Sequence, residues 1–285
     1  MSSNTPVGWL GLGAMGMPMA QRLVDAGYRL MLWARRREAA QPLLEQGALW
    51  APDLASLGRQ CRQVFTMLRS TEDVLEVHSA LAPHLGSGSD LIDLTTAGPV
   101  AADRLAPLMA QHGLHWLDSP VTGGVRGARQ GQLTLFVGGE EPVLERLKPL
   151  LAPLAGQISH CGPAGSGYRM KLINQVMMAG ALTGVAQGAA MARAAGLDAE
   201  RVHTALSHGS ASGWMFSAYV RKMIAADPQV GFTLGMLRKD LKLAREEALA
   251  LGINAQLLDG LLERIEQACR QHGTQAGVQS LAWTA

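Results

Sequence analysis

The sequence predicts an α/β domain built on a parallel, doubly wound sheet, followed by an all-α domain, the two joined by a long helix. Three observations carry this. A strand, a glycine turn and a helix open the chain; short apolar runs then alternate with helical patterns as far as Cys161; beyond that point strand-like alternation stops. The 285 residues suffice for two domains, drawn at 1–162 and 163–285, with the long helix at about 167–195.

Val7 to Leu10 is the first strand, and it runs into Gly11-Leu12-Gly13-Ala14-Met15-Gly16. This is the G-x-G-x-x-G order between a strand and a helix. Gly11 permits the tight turn, Gly13 lets a diphosphate approach the backbone, and Gly16 lets the helix pack on the strand. Free N–H groups and the positive helix end then face phosphates. The stretch is read as the dinucleotide site of a Rossmann-type domain, because a plain βα turn leaves the glycine spacing unexplained.

The first helix runs from about Met15 to Ala26 and ends at Gly27, a left-handed cap. Strand Tyr28 to Trp33 leads to Ala34-Arg35-Arg36-Arg37. A NAD-preferring fold usually has Asp or Glu here for the ribose hydroxyl. Guanidinium groups instead pair with phosphate. NADP is therefore favoured over NAD, with Arg35 and Arg36 as contacts; in the competing reading, a solvated basic turn, Arg36 and Arg37 do little.

Glu38 to Gln46 reads as a helix closed by Gly47, and Pro52 to Cys61 as another with proline at an early position. Val64 to Leu68 is a buried strand. Thr71 to Leu81 is a helix with Ser70 as N-cap. Strand Leu91 to Leu94, a helix opened by Pro99 and ending near His112, and strand Leu114 to Leu117 follow. Strand Thr134 to Val137, helix Pro142 to Leu151 and strand Ile158 to Cys161 complete the domain. Ligands of such sheets sit at the carboxyl ends of strands. Met67-Leu68-Arg69, Thr95-Thr96 and Asp118-Ser119-Pro120 stand at such ends. The Thr122-Gly123-Gly124 loop after them can offer a hydroxyl and unhindered N–H groups to a carboxylate. It reads equally well as an ordinary glycine loop.

Gly162 to Gly167 forms a hinge-like turn, and a helix follows from about Tyr168 to Ala195. Between Lys171 and Arg193 it has no charged residue, but Asn174, Gln175, Thr183 and Gln187 make it too polar for a membrane span. Gly180, Gly184 and Gly188 recur every fourth residue, which lets another helix approach and permits a dimer contact. A helix lysine is usually a solvated surface group. Lys171 instead stands among Met170, Leu172 and Ile173, with Asn174 and Gln175 on its face at i+3 and i+4. Apolar surroundings disfavour a lysine's charged form, which suits a general base. Further helices follow. Trp214, Phe216 and Tyr219 lie on a helical pattern that fits core packing or a pocket lining. Phe232 begins a helix-prone stretch in which Lys239 and Asp240 read, on their own, as a surface pair. The tail from Gln271 reads as polar and loosely held.

Charge is nearly balanced, 25 Lys and Arg against 23 Asp and Glu, so no nucleic-acid surface is expected. Three well-separated cysteines suit a reducing, cytoplasmic setting rather than a disulfide framework or zinc cluster. His112 and His115 straddle Gly113, and no metal site is expected. Met1 to Pro6 is polar and has no signal-peptide pattern.

Four motifs in order resemble the β-hydroxyacid dehydrogenase family, the group of 3-hydroxyisobutyrate dehydrogenase and tartronate semialdehyde reductase. They are Gly11 to Ala20, Asp118 to Gly124, Gly162 to Asn174 and Lys239 to Ala244, and the likeness covers nearly the whole chain. The resemblance implies that Lys171 is catalytic, supported by Asn174. It implies a substrate-carboxylate loop at Thr122, Gly123 and Gly124, with Ser119 beside it and threonine in place of the commoner serine. Thr96 falls on the nicotinamide side. Lys239 lies near cofactor and substrate, with Asp240 as its orienter. Leu12, Met15, Met67, Leu68 and Phe232 complete the cofactor contacts, and Trp214 and Tyr219 resemble pocket residues of members acting on serine-like hydroxy acids. The chain departs from the family in Gln175, where a second asparagine is usual, in Ala34 and Arg35, where an NAD-binding aspartate gives way to the NADP pattern, and in its C-terminal end.

The implied reaction is reversible hydride transfer at the hydroxyl-bearing carbon of a small, non-phosphorylated β-hydroxy acid, or reduction of the matching semialdehyde. The second domain has no arginine cluster for a phosphate. A homodimer or homotetramer is expected. Two rivals are an imine reductase of similar architecture, a group that generally lacks this lysine, and a non-catalytic nucleotide-binding scaffold.

Overall fold

The computed structural model describes residues 5–284; residues 1–4 of the polar leading stretch, and Ala285, lie outside the described residues. Two compact units divide between Lys171 and Leu172, further along than the expected 162/163. The reason is local: the first turn of the long helix is hydrogen-bonded to the sheet of the first unit.

Strands β1 (Val7–Leu10), β2 (Leu30–Trp33), β3 (Leu49–Trp50), β4 (Gln63–Thr66), β5 (Asp90–Asp93), β6 (His115–Asp118), β7 (Val121–Thr122), β8 (Leu133–Gly138) and β9 (Ala155–Gly162) form one sheet. Its order is β3-β2-β1-β4-β5-β6-β8-β7, with β9 beside β8. Strands β1 to β6 pair in parallel. The expected parallel, doubly wound sheet is extended by β8, which runs antiparallel to β6 and β7. A parallel return needs a long crossover, whereas here β7 pairs directly with β8 as a short antiparallel partner.

Side chains alternate across the sheet with period two. Trp9, Leu32, Phe65, Ile92 and Leu117 fill one face; Leu10, Met31, Val64, Leu91 and Trp116 fill the other. Helices α1 (Gly16–Asp25), α2 (Gln41–Leu44), α3 (Leu54–Gln60), α4 (Thr71–Leu81), α5 (Val100–Gln111), α6 (Gly124–Gln130) and α7 (Glu141–Leu151) connect the strands. Met19 and Leu23 of α1 seal the first face, and Leu57, Val74 and Leu105 of α3 to α5 seal the second. Each such fully buried aliphatic stabilises the fold by about 1.5–3 kcal/mol. Ser70 caps α4 as expected, accepting from Asp73 N at 3.2 Å. Helix α6 was not expected from the sequence, because Gly124 and Gly127 weaken its helical pattern.

Helix α8 (Ser166–Ala194) crosses the division between the units. In the second unit, Leu172, Ala179, Leu182, Ala186 and Ala189 face its core. That core is completed by α9 (Ala199–Leu206), α10 (Trp214–Ile224), α11 (Leu234–Ala250) and α12 (Gln256–His272). The other side of α8 carries exposed Ile173, Met177 and Met191. A Cβ at Gly180, Gly184 or Gly188 meets nothing within 4 Å, so no helix of the described chain takes up the expected close approach there.

The tail is corrected outright. Residues 278–283 form a short 3-10 helix whose Val278, Leu281 and Ala282 are buried. Trp283 Nε1 donates to Met223 O at 3.0 Å, and the Gln279 amide donates to the Asp227 and Gln229 carbonyls. Four apolar residues late in a polar stretch pin it. Among the described residues, no helix is long and apolar enough to cross a membrane.

Candidate active site

The sheet order reverses between β1 and β4, and the glycine turn follows β1 at that switch point. The three glycines differ in what surrounds them. Gly11 has φ +93°, and a Cβ there would lie 2.2 Å from Met67 O. A Cβ at Gly16 would lie 2.1 Å from Gly11 O, while one at Gly13 meets nothing within 4 Å. Two glycines thus close the turn on itself and on the end of β4, and the third keeps its outer side open. Helix α1 has no side-chain cap and no acidic residue in its first turn. The turn fits a diphosphate: open backbone, an uncapped helix start and no competing negative charge.

At the end of β2, Arg35, Arg36 and Arg37 are exposed. Arg37 lies over the Trp50 ring, 5.8 Å from its centroid.

At the carboxyl ends of β5 and β6, Asp93 and Asp118 are register partners, and neither is exposed. Asp118 caps α8. Its Oδ1 accepts from Gly165 N at 2.7 Å and its Oδ2 from Tyr168 N at 2.8 Å. The expected hinge-like turn is thus hydrogen-bonded to the end of β6. Gly167 sits between them, where a Cβ would lie 2.3 Å from Phe136 O and 2.5 Å from Asp118 O. Burial pushes the Asp118 carboxyl up to about 6, outweighing the two N–H donors that favour its charged form.

Asp93 gathers donors from three segments. Its Oδ1 accepts from Thr66 Oγ1 at 2.6 Å and Thr95 Oγ1 at 2.7 Å, and its Oδ2 accepts from the Tyr168 hydroxyl. Thr95 Oγ1 in turn accepts from Leu68 N at 2.8 Å. Thr66 Oγ1 also lies 2.8 Å from His78 Nε2, and Trp116 Nε1 donates to His78 Nδ1 at 3.1 Å. The Thr66 hydroxyl proton goes to Asp93, so His78 Nε2 must carry the proton it gives to Thr66. Nδ1 is then the acceptor for Trp116, and His78 is a neutral, single tautomer. Burial holds its pKa down at about 4 although Asp93 favours the charge. Burial, with Asp93 and Asp118 nearby, keeps the Tyr168 hydroxyl protonated by raising its pKa well above the ordinary value. The chain's composition hid this cluster. The signal available was the lone polar residue ending each apolar run, Leu91-Ile92-Asp93 and Trp116-Leu117-Asp118.

Lys171 lies one helical turn after Tyr168 and is 6% exposed. Its neighbours behave unlike the expectation: Leu172 is buried, but Met170 and Ile173 face outward. Met67, Leu68 and Thr96, at the ends of β4 and β5, and Leu12 and Met15 in the glycine turn are all half-buried. Thr122 ends β7, and Gly123 and Gly124 are exposed at the start of α6 with φ +127° and +63°. Ser119 is fully buried and its hydroxyl has no hydrogen-bond partner among the described residues, so it stands behind this turn rather than on its surface.

The second unit holds its own polar group. Asp240 is 4% exposed, and its two oxygens meet Lys239 Nζ at 2.9 Å and the Gln175 amide at 2.6 Å. Asn174 Nδ2 donates to Gln175 Oε1 at 2.9 Å. Lys239 and Asp240 are thus not the surface pair that their residue types suggest. Gln175, the departure from the family pattern, is the residue that spans from α8 to α11. Of the aromatic set, Phe216 is core, stacked on His203 at 5.6 Å. Trp214 is exposed and meets half-buried Tyr219 edge-on at 6.2 Å. Phe232 is half-buried, its carbonyl accepting from Val278 N just ahead of α11.

Known proteins agree with this architecture. Residues 6–162 match the NAD binding domain of 6-phosphogluconate dehydrogenase. Residues 165–283 match the NAD-binding domain of NADP-dependent 3-hydroxyisobutyrate dehydrogenase. The 2-hydroxy-3-oxopropionate reductase of Escherichia coli (strain K12) is 34% identical over 251 residues, spanning 87% of this chain and 86% of the relative. A structure of Mycobacterium tuberculosis 3-hydroxyisobutyrate dehydrogenase with L-serine superimposes with TM-score 0.91 at 28% identity, covering 98% of each chain. A structure of Psf3 with NADP+ and 2-OPP gives 0.89 at 26%, covering 97% of this chain and 99% of that one. An imine reductase from a Pseudomonas species is more distant, with TM-score 0.65 at 20% identity over 98% of this chain and 99% of its own, and shares the fold alone.

Proposed function

The chain belongs to the β-hydroxyacid dehydrogenase family, and we propose that it oxidises a small, non-phosphorylated β-hydroxy acid, or reduces the matching semialdehyde, with NADP favoured over NAD. The observation that carries this reading is a buried lysine, Lys171, in a helix whose first turn is fastened to the carboxyl ends of β5 and β6. Lys171 takes the substrate hydroxyl proton in oxidation and returns one to the carbonyl oxygen in reduction. Asn174 shares its helix face and supports it. Thr122, Gly123 and Gly124 hold the carboxylate, with Ser119 behind them, and so fix the distance to the reacting carbon. Orientation of that kind contributes several kcal/mol, about 7–11 at best. Lys239, oriented by Asp240, supplies a cation to ligand, and Trp214 and Tyr219 shape the substrate end.

The dinucleotide is held by Gly11, Leu12, Gly13, Met15 and Gly16 at the turn, by Met67, Leu68 and Thr96 beside it, and by Phe232. Arg35 and Arg36 supply the cations that a 2′-phosphate needs. When bound, the nicotinamide supplies the hydride acceptor or donor. L-serine, the ligand in one neighbouring structure, and the oxopropionate named for the bacterial relative are small and favour a short substrate. We further propose a homodimer or homotetramer that covers the exposed Ile173, Met177 and Met191 stripe, and light scattering that shows a monomer overturns it.

The test is one panel of short hydroxy acids, semialdehydes and cyclic imines, each with NAD(H) and NADP(H). Turnover of hydroxy acids or semialdehydes with NADP(H) is expected. Lys171→Met is expected to lower kcat by at least about 10³-fold, the scale of a lost acid–base group, with cofactor affinity kept. Arg35→Ala is expected to weaken NADP about tenfold, near 1.4 kcal/mol, and to leave NAD unchanged. Turnover of imines alone, or near-normal activity without Lys171, overturns the reading.

A further inference from the structure

We propose that Tyr168 is a positioning residue: through Asp93 it sets the placement of Lys171 and ties it to the loops after β4 and β5. This rests on the reading of Lys171 as the proton-transfer group and deepens it.

Asp93 is fully buried, and three chain segments meet on its carboxylate. Thr95, which also accepts from Leu68 N, fixes the loops after β4 and β5. Tyr168 brings in the first turn of α8. Thr66 brings in β4 and, behind it, His78 and Trp116. The Trp116 ring then meets the Tyr168 ring edge-on at 6.0 Å, which closes the ring of contacts and fixes the phenol's rotation. Every proton in this ring points toward Asp93, and Thr66 and Thr95 each donate to its carboxylate while accepting from the group behind them.

Lys171 follows Tyr168 by three residues and lies on the same helix face. Asp118 holds Gly165 N and Tyr168 N in the turn that leads into Tyr168, there is no room for a side chain at Gly167, and one further turn of α8 reaches Lys171. A shift of the phenol is therefore transmitted to the lysine. Ordinary core packing would need only the Tyr168 ring. The hydroxyl, with its single carboxylate partner, is what links the lysine to the loops carrying Leu68 and Thr96.

The experiment compares wild type with Tyr168→Phe, Asp93→Asn and the double variant on the best substrate from the panel. Tyr168→Phe is expected to lower kcat about 10- to 100-fold, the scale of a small misplacement, with KM and NADP(H) affinity within about threefold. The kinetic isotope effect on kcat from a substrate deuterated at the carbinol carbon is expected to rise, because the chemical step becomes slower. The double variant is expected to be no worse than Asp93→Asn alone, since both act through one contact. Amide exchange in residues 166–171 is expected to quicken in Tyr168→Phe. If the wild type is active and Tyr168→Phe keeps kcat and isotope effect within twofold, the positioning role is wrong and the enzyme reading stands. If the wild type is inactive across the panel, the enzyme reading falls, and with it the role assigned to Lys171. Unchanged exchange in residues 166–171 refutes the tether independently of activity.

Discussion

Strand β5 carries an aspartate at each end, and the two are treated in opposite ways. Asp90, at the amino end, is met by charged and polar groups reaching in from the surface. Arg146, His115 and Gln63 all bond to it, and the Arg146 side chain is 49% exposed. Asp93, at the carboxyl end, is met only by hydroxyls and one backbone N–H, all buried. A charged, half-exposed partner anchors a strand end loosely and is screened by salt. Neutral buried donors have short reach and strict direction, so they fix geometry. The sheet is held at one end and aimed at the other.

Breaking the aimed end is expected to cost most. Asp93→Ala leaves three buried hydroxyls without their acceptor and is expected to destabilise the first unit by about 3–5 kcal/mol, with each orphaned donor costing about 1–3. Denaturant melts check it, and a loss under about 1 kcal/mol would show the cluster to be energetically idle.

Next comes pH. Asp118 titrates near 6 in the fold against an ordinary 3.8, so between those values the folded chain binds more protons than the unfolded one. Its contribution therefore falls as pH rises through that window. His78 titrates near 4 against 6.5, so there the unfolded chain binds more protons and stability rises with pH. The two contributions change in opposite directions between about pH 4 and 6, each by on the order of 3 kcal/mol across its window. Relative to wild type, Asp118→Asn is expected to lose stability more steeply on acidification and His78→Gln less steeply. Parallel curves for all three proteins would refute both assignments.

The smallest effect is at the held end. Arg146→Met is expected to cost about 1 kcal/mol or less, because Asp90 keeps His115 and Gln63. The difference is expected to shrink further between low and high salt, measured as the gap in Tm.

The same contrast explains what could be read from the residues alone. The glycine turn was legible because its spacing alone states the demand, although Gly11 is crowded by Met67 O from the neighbouring strand and only Gly16 by a residue of the turn itself. The lack of charge in α8 did not say which face packs: Ile173, Met177 and Met191 are exposed and the glycine stripe meets nothing. The Asp93 cluster was not legible, because it needs the register that sets β5 beside β6 and the seating of α8 on both. Nothing in Tyr168 itself names a partner 75 positions earlier. The direction of β8 was hidden because an apolar run reads the same either way. The tail was misjudged because polar residues from Gln271 outnumber the Val278, Leu281 and Trp283 that pin it.

For anyone diversifying this scaffold, Gly167 draws a boundary. One methyl group there would collide with two carbonyl oxygens, those of Phe136 and Asp118, before it reached any side chain that could step aside. A library that varies the start of the long helix does well to leave that carbon-free spot alone.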